Sequence, residues 1–289
     1  MHARSTASLL GYPDDARLLI INADDLGLCH AENVATFVGL DQGAFCSSTV
    51  MVPCPSFREA AAGIRARPDA DVGVHLTHTC EWPDYKWGPV CGPSEVPSLV
   101  DDDGNFCPDV PSVYSRARLD EVERETRAQI QTALAAGIDV THLDSHMGTL
   151  QLDLAYHSLY VRVAAEFQLP IRMAGRLWMR DSAMGEAVEL ADRLGVLAPD
   201  HFWYGGPEHP DHTAAYWTGV LQHLQPGVSE LFVHAAEDDP ALRRSSPAWA
   251  QRMADCRFFT APSTRALISE AHITLIGYRA LRDCQRSLC

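Results

Sequence analysis

No run of apolar residues in this chain approaches the roughly 18 that would span a bilayer, so a membrane-spanning helix is not expected. Residues 1–12 lack a basic start followed by a sustained apolar stretch, and no secretory signal is read there. The nine cysteines are scattered without a CxxC pair, and an odd number cannot all pair internally. Free or buried thiols in a reducing compartment are implied, and the expected location is the cytoplasm. Positive charge is also scarce. The 23 basic residues against 38 acidic ones leave a formal net charge of −15, which argues against nucleic acid or an anionic membrane as the main partner. A neutral or cationic small molecule fits better. Internal repeats, low-complexity tracts and linker-like stretches are missing too, so residues 1–289 read as a single domain.

The positive signal is an alternation. Short β-branched or apolar runs at 17–22 (RLLIIN), 47–52 (SSTVMV), 71–76 (DVGVHL) and 138–143 (IDVTHL) read as strands. Further strands are expected at 171–173, 230–234 and 273–276. Segments with helical spacing lie between them, at 32–40, 57–67, 119–136 and 154–167. The third of these ends at Gly137, a helix stop. Strands alternating with helices predict an α/β fold with a parallel sheet or barrel.

One stretch breaks the rhythm. Residues 77–111 are rich in Pro, Gly and Trp and carry little periodicity. A loop this long inside a compact domain is usually functional, and it comes directly after a strand ending near His75, where α/β folds keep their ligands. Trp82, Tyr85 and Trp87 are therefore either stacking surfaces for a sugar ring or anchors that pack the loop onto the domain.

Four polar clusters sit at the C-terminal ends of the expected strands: Asn22 to Asp25, His75 with Thr77 and His78, His142 to His146, and His234. Charged groups directly after a buried run are costly unless paired or bound to a metal. Two His and one carboxylate make a common open metal site, whose ion lowers the pKa of a bound water, and a second carboxylate can take that water's proton. In the HLDSH run the alternate residues share one face of a strand; a metal site and a salt-bridged structural cluster are both open readings of it. Asp24 and Asp25 would point opposite ways on an extended strand, so a turn is required, which Gly27 eases. His201, His209 and His212 fall in a Pro- and Gly-rich stretch read mainly as a solvated loop, and Arg172 and Arg176 as surface or structural ion pairs.

In combination these pieces resemble the YdjC-like carbohydrate deacetylases, a family that includes chitooligosaccharide deacetylases. The resemblance rests on LLIINADDLGL (18–28), STVMV (48–52), GVHLT (73–77), LVDDDGNF (99–106), THLDSH (141–146) and ELFVHAAEDD (230–239), in the family's order across most of the chain. It implies a deformed TIM-like (β/α) barrel and metal-dependent hydrolysis of the N-acetyl group of an amino sugar or short oligosaccharide. Carried over by position, Asp25, His75 and His146 are the metal ligands, Asp24 the general base and His234 the general acid. Asp144 orients a neighbouring His. One divalent ion is implied, with Zn²⁺, Mg²⁺, Co²⁺, Ni²⁺ and Mn²⁺ all open. The sequence departs from the family where DSHMGTL stands in place of the commoner DSHHHVH, at His78, and in the EWPDYKWGPV insert, which leaves the sugar open. Another N-acyl substrate on a lipid-linked or natural-product amino sugar is the alternative, a non-catalytic sugar-binding relative a further one, and a homo-oligomer is compatible with either.

Overall fold

Among the described residues, seven strands form one all-parallel sheet: β1 (Arg17–Leu26), β2 (Ser47–Val50), β3 (Val72–Leu76), β4 (Val140–Ser145), β5 (His201–Trp203), β6 (Gly227–His234) and β7 (Ile273–Leu275). The computed structural model of the chain describes residues 5–288, so Cys289 and part of the stretch read for a leader lie outside it. β2, β3 and β4 are buried along their whole length. Helices cover a parallel sheet, so its strands read as near-continuous apolar runs.

The pairing order is β4-β3-β2-β1-β6-β5. The sheet is open at one seam, between its two end strands, β4 and β5. There the chain supplies only an isolated bridge, Leu143 to Ile171, so the strand expected at 171–173 is reduced to a single pairing. Just beyond, Leu177 N donates to Asp200 O at 3.2 Å, next to β5. The result is a single α/β domain with the architecture of a deformed TIM-like barrel. β7 is short and pairs with the first residues of β1, below the point where β2 begins.

Period-two alternation along β1 sorts its side chains. Leu19, Ile21 and Ala23 pack outward with Trp217, Leu231, Val233 and Phe259 under the helices. Leu18 and Ile20 pack with Val228, Tyr278 and Leu281, so the helix Tyr278–Ser287 plugs the lower end of the barrel. Asn22 and Asp24 come next on that inner face, opposite Phe232 and His234 of β6. The interior thus changes from apolar below to polar above, which places the chemistry at the C-terminal rim, as in barrel enzymes generally. Among the described residues no helix is long and apolar enough to cross a membrane.

Candidate metal centre and active site

The two adjacent aspartates reach the same cleft because β1 is not regular where they sit. Its register with β2 shifts between Ala23 and Leu26, and Asp25 itself takes a left-handed conformation with φ of 66°. The turn expected to rely on Gly27 is made first by Asp25, with Gly27 next at φ of 94°. Asp tolerates this region better than most residues, and the bulge redirects its side chain inward beside that of Asp24. Gly27 is held by its N–H, which donates to Asn33 Oδ1 at 2.7 Å.

Three atoms then meet. Asp25 Oδ1 lies 3.3 Å from His75 Nε2 and 3.3 Å from His146 Nδ1, and the two ring nitrogens are 3.2 Å apart. With bonds of ~2.1 Å, three ligand atoms on one face of a tetrahedral or octahedral shell stand roughly 3.0–3.4 Å apart. The triangle therefore has the size of an open divalent-metal site. Asp25 Oδ1 is buried and has no hydrogen-bond donor, which is costly for a carboxylate unless a cation faces it. Two imidazoles and one carboxylate also form a donor set that first-row divalent ions accept.

The back of each of the three residues is fixed. His75 Nδ1 is 2.6 Å from Asp144 Oδ1, so Asp144 orients the ring. His146 Nε2 lies 3.0 and 3.1 Å from the two oxygens of Glu81. Asp25 Oδ2 accepts from Arg252 Nη1 at 2.8 Å. Carboxylates behind ligand histidines fix tautomer and orientation. Burial alone would depress the His75 ring, but the charge and hydrogen bond of Asp144, with help from Asp25 and Asp24, raise it to about 9. Burial likewise opposes ionisation of Asp25, yet His234, Arg252 and the two rings hold it well below the usual carboxylate range. The pocket is built to hold positive charge.

Asp24 stands beside this triangle in a second network. Arg172 grips it through two bonds, Nη1 to Oδ2 at 2.7 Å and Nη2 to Oδ1 at 2.8 Å. Asn22 Nδ2 donates to Oδ1 as well, at 2.8 Å. The same guanidinium reaches Asp144 at 2.9 Å and Glu230 at 2.8 Å. Burial pushes Asp24 up, but Arg172 overcomes it and brings the group to about 2. Asp24, His75 and Asp144 also bring ligand-type atoms together, but Arg172 already supplies the cation there. The fit favours the first triangle.

His234 occupies the rim. Its side chain is about one-third exposed (35%), and Nε2 lies 3.7 Å from Asp25 Oδ2. Burial and the nearby Arg252 charge depress the ring to about 4 although Asp25 pulls the other way, so it is neutral near pH 7.

The aromatic insert is mostly packed. Trp82 and Trp87 are buried, their rings 6.3 Å apart, with Tyr85 5.8 Å from Trp82 and Trp87 6.4 Å from His146. Trp87 Nε1 donates to Thr79 O, and Tyr85 OH to Leu28 O. The insert forms a wall beside His146, and from it Glu81 enters the centre. His142 does not join the site: it stacks on Tyr278 with centroids 3.8 Å apart, one layer below. His78 is buried against Thr126 and Phe106. His209 pairs with Asp211 at the surface, whereas His201, read as loop, lies on β5. Arg176 pairs with Asp192 at 2.5 Å, an ion pair as expected. Arg172 is an ion-paired residue too, but a buried one at the heart of the site.

The family model described as YdjC-like protein matches residues 18–270. The chain is 35% identical over 278 residues to a carbohydrate deacetylase of Thermus thermophilus, covering 92% of this chain and 94% of the relative. A carbohydrate deacetylase of Brevibacillus brevis is 29% identical over 267 residues, covering 91% and 99%. Among solved structures, a protein of Enterococcus faecalis V583, provisionally named for cellobiose-phosphate cleavage, superposes with a TM-score of 0.79 at 27% identity over 92% of this chain and 99% of that one.

Proposed function

We propose that this chain, which belongs to the YdjC-like protein family, is a metal-dependent carbohydrate deacetylase that hydrolyses the N-acetyl group of an amino sugar or short oligosaccharide. The observation that carries the reading is the triangle of Asp25 Oδ1, His75 Nε2 and His146 Nδ1, with edges of 3.2–3.3 Å, in a chain whose relatives are named carbohydrate deacetylases. Asp25, His75 and His146 would hold a divalent ion, which would supply Lewis-acid polarisation of the acyl carbonyl and lower the pKa of a water.

The chain's own groups handle the protons. Asp24 is the general base. Oδ1 already accepts from Asn22 and Arg172 and Oδ2 from one Arg172 nitrogen, which leaves a single acceptor position, on Oδ2, for a water. Arg172 holds the carboxylate ionised and aimed. His234 sits next to Asp24 across the β1–β6 register. Its ring is neutral at rest, so the proton that it delivers to the leaving nitrogen is the water proton, first accepted by Asp24 and then passed to the neighbouring ring. One water is consumed, the amide C–N bond breaks, and acetate and a free amine leave. Trp82, Tyr85 and Trp87 form the wall beside His146, where a sugar ring would meet the aromatic insert. Among the described residues the eight cysteines are free, which supports a place in the reducing cytoplasm.

The test is acetate release from N-acetylglucosamine, its β-linked oligomers and an N-acetyl sugar with an aglycone, run on metal-stripped protein and after adding each divalent ion. Ion-dependent release from any of them is the expected outcome. Ion binding without release from the whole panel would remove the acetyl-sugar assignment.

A further inference from the structure

Arg252 is 227 residues distant in sequence from Asp25, on the helix Trp249–Thr260, and the residue is more than nine-tenths buried. A single nitrogen, Nη1, contacts both Asp25 Oδ2 at 2.8 Å and Glu32 Oε1 at 2.6 Å. Its Nε is buried with no acceptor, and Glu32 Oε2 is likewise without a donor. A pair present only to neutralise buried charge would gain by closing a two-pronged bridge, as Arg172 does with Asp24. Here one nitrogen of the fork serves both carboxylates instead. Its central carbon lies 5.9 Å from the centre of the Trp82 ring, and Glu32, on the helix His30–Asp41, anchors it from behind.

We infer that Arg252 is a positioning residue for the metal centre, occupying Asp25 Oδ2 so that the carboxylate presents Oδ1 alone to the ion. This rests on the metal reading of the triangle given above. Without that contact a carboxylate at the end of a strand bulge is free to turn about its Cβ–Cγ bond and offer both oxygens. The arrangement also explains the burial of Glu32. It holds Arg252 from behind through the 2.6 Å contact to Nη1, and the Trp82 ring lies beside the guanidinium.

Two effects with opposite signs can be separated by experiment. A purely electrostatic Arg252 repels the incoming cation, so its removal should tighten binding and a lysine should change nothing. A positioning Arg252 predicts that Arg252→Lys, which keeps the charge but loses the planar fork and some reach, weakens binding roughly tenfold. The measurement is competition with a chromophoric chelator for Zn²⁺, together with the visible spectrum of the Co²⁺-loaded protein, for wild type, Arg252→Lys and Arg252→Met. We expect both variants to alter the Co²⁺ bands as the carboxylate changes its mode, and Arg252→Lys to lose affinity. Wild-type spectra in both variants with unchanged affinity in Arg252→Lys would overturn the inference and leave the metal site standing. No ion binding by wild type would remove the metal reading itself, and this inference with it. If Arg252→Met fails to fold, the double variant Arg252→Met/Glu32→Met removes the opposing carboxylate as well and serves in its place, with the same altered spectrum expected.

Discussion

Replacing Asp24 by Asn separates the two neighbouring aspartates more sharply than any other single change. The amide is nearly isosteric, but its NH₂ must face a guanidinium that now donates to both oxygens at 2.7 and 2.8 Å. Removing one partner of a buried ion pair costs about 3–5 kcal/mol. The lower end applies, because Arg172 keeps Asp144 at 2.9 Å and Glu230 at 2.8 Å. For 289 residues, unfolding entropies of about 2.1 cal/mol/K per residue imply roughly 0.6 kcal/mol/K in total, so a loss of ~3 kcal/mol lowers Tm by about 5 °C. The variant should remain folded at 25 °C. Turnover should fall by about 10²–10⁴, the range for a general base. Ion affinity should stay within about threefold, since neither Asp24 oxygen belongs to the triangle; Asp25→Asn, by contrast, should lose the ion. Acetate release, chelator competition and thermal melts on the same preparations supply the three readings. An Asp24→Asn protein that loses its ion while Asp25→Asn keeps it would show the roles to be reversed. Retained turnover would dismiss Asp24 as the base.

Glu81→Gln keeps the shape of the contact to His146 Nε2 but removes its charge, and the Kd for the ion should rise about tenfold in the same chelator assay. Gly73→Ala would place a Cβ 2.5 Å from the His142 carbonyl oxygen and 2.6 Å from its Nδ1; urea unfolding should show a loss of about 2–3 kcal/mol, with reduced turnover because β3 and β4 carry His75 and Asp144. His78 and His157 are held by burial at about 4 in the folded chain, against about 6.5 when unfolded. Between those values the unfolded chain binds protons that the folded chain refuses, so stability should fall as pH drops from 6.5 toward 4, by up to about 3 kcal/mol per ring. Urea midpoints at pH 7, 6 and 5 measure that slope, and His157→Leu should flatten it; an unchanged slope would mean that the ring is protonated in the folded state.

Much of the scaffold was legible because it is written in periodicity. β1, β3, β4 and β6 fall where buried apolar runs end in polar residues, and β2 is marked by its β-branched run: a parallel strand covered on both faces needs the apolar run, and a barrel rim needs the polar residues at its end. β5 escaped because it is three residues long and only partly buried, so no run marks it. The strand expected at 171–173 failed for the opposite reason: IRM is apolar enough, but it lies at the seam and pairs at one residue only. The site divides in the same way. Asp24, Asp25, His75, Asp144 and His146 sit in compact motifs, whereas Glu81, Glu32 and Arg252 come from a loop and two helices, where an isolated charge looks like any solvated one. Arg172 did carry a signal, a charge inside an apolar triplet, and only its depth went unread. The turn at the two aspartates was expected and assigned to Gly27; that Asp25 makes it first, in the left-handed region, goes with β2 pairing on both sides of the bulge and had no local signal.

The seam between β4 and β5 has a consequence for how such a protein can diversify. Asp24 and Asp25, His75, Asp144 and His234 stand on β1, β3, β4 and β6, with His146 directly after β4, and these strands are knitted together through β2 and the β1–β6 pairing. Among the described residues, β5 pairs within the sheet with β6 and with no other strand. Trp203, Tyr204 and, across the seam, Trp178 line a cavity of about 750 Å³ there. Insertions or new side chains on this wall change its shape without passing strain through the ladders that hold the histidines and aspartates. Rigid and adjustable parts are thus segregated by topology, and the wall that lines this cavity can be reshaped while the strands that carry the Asp and His cluster keep their register.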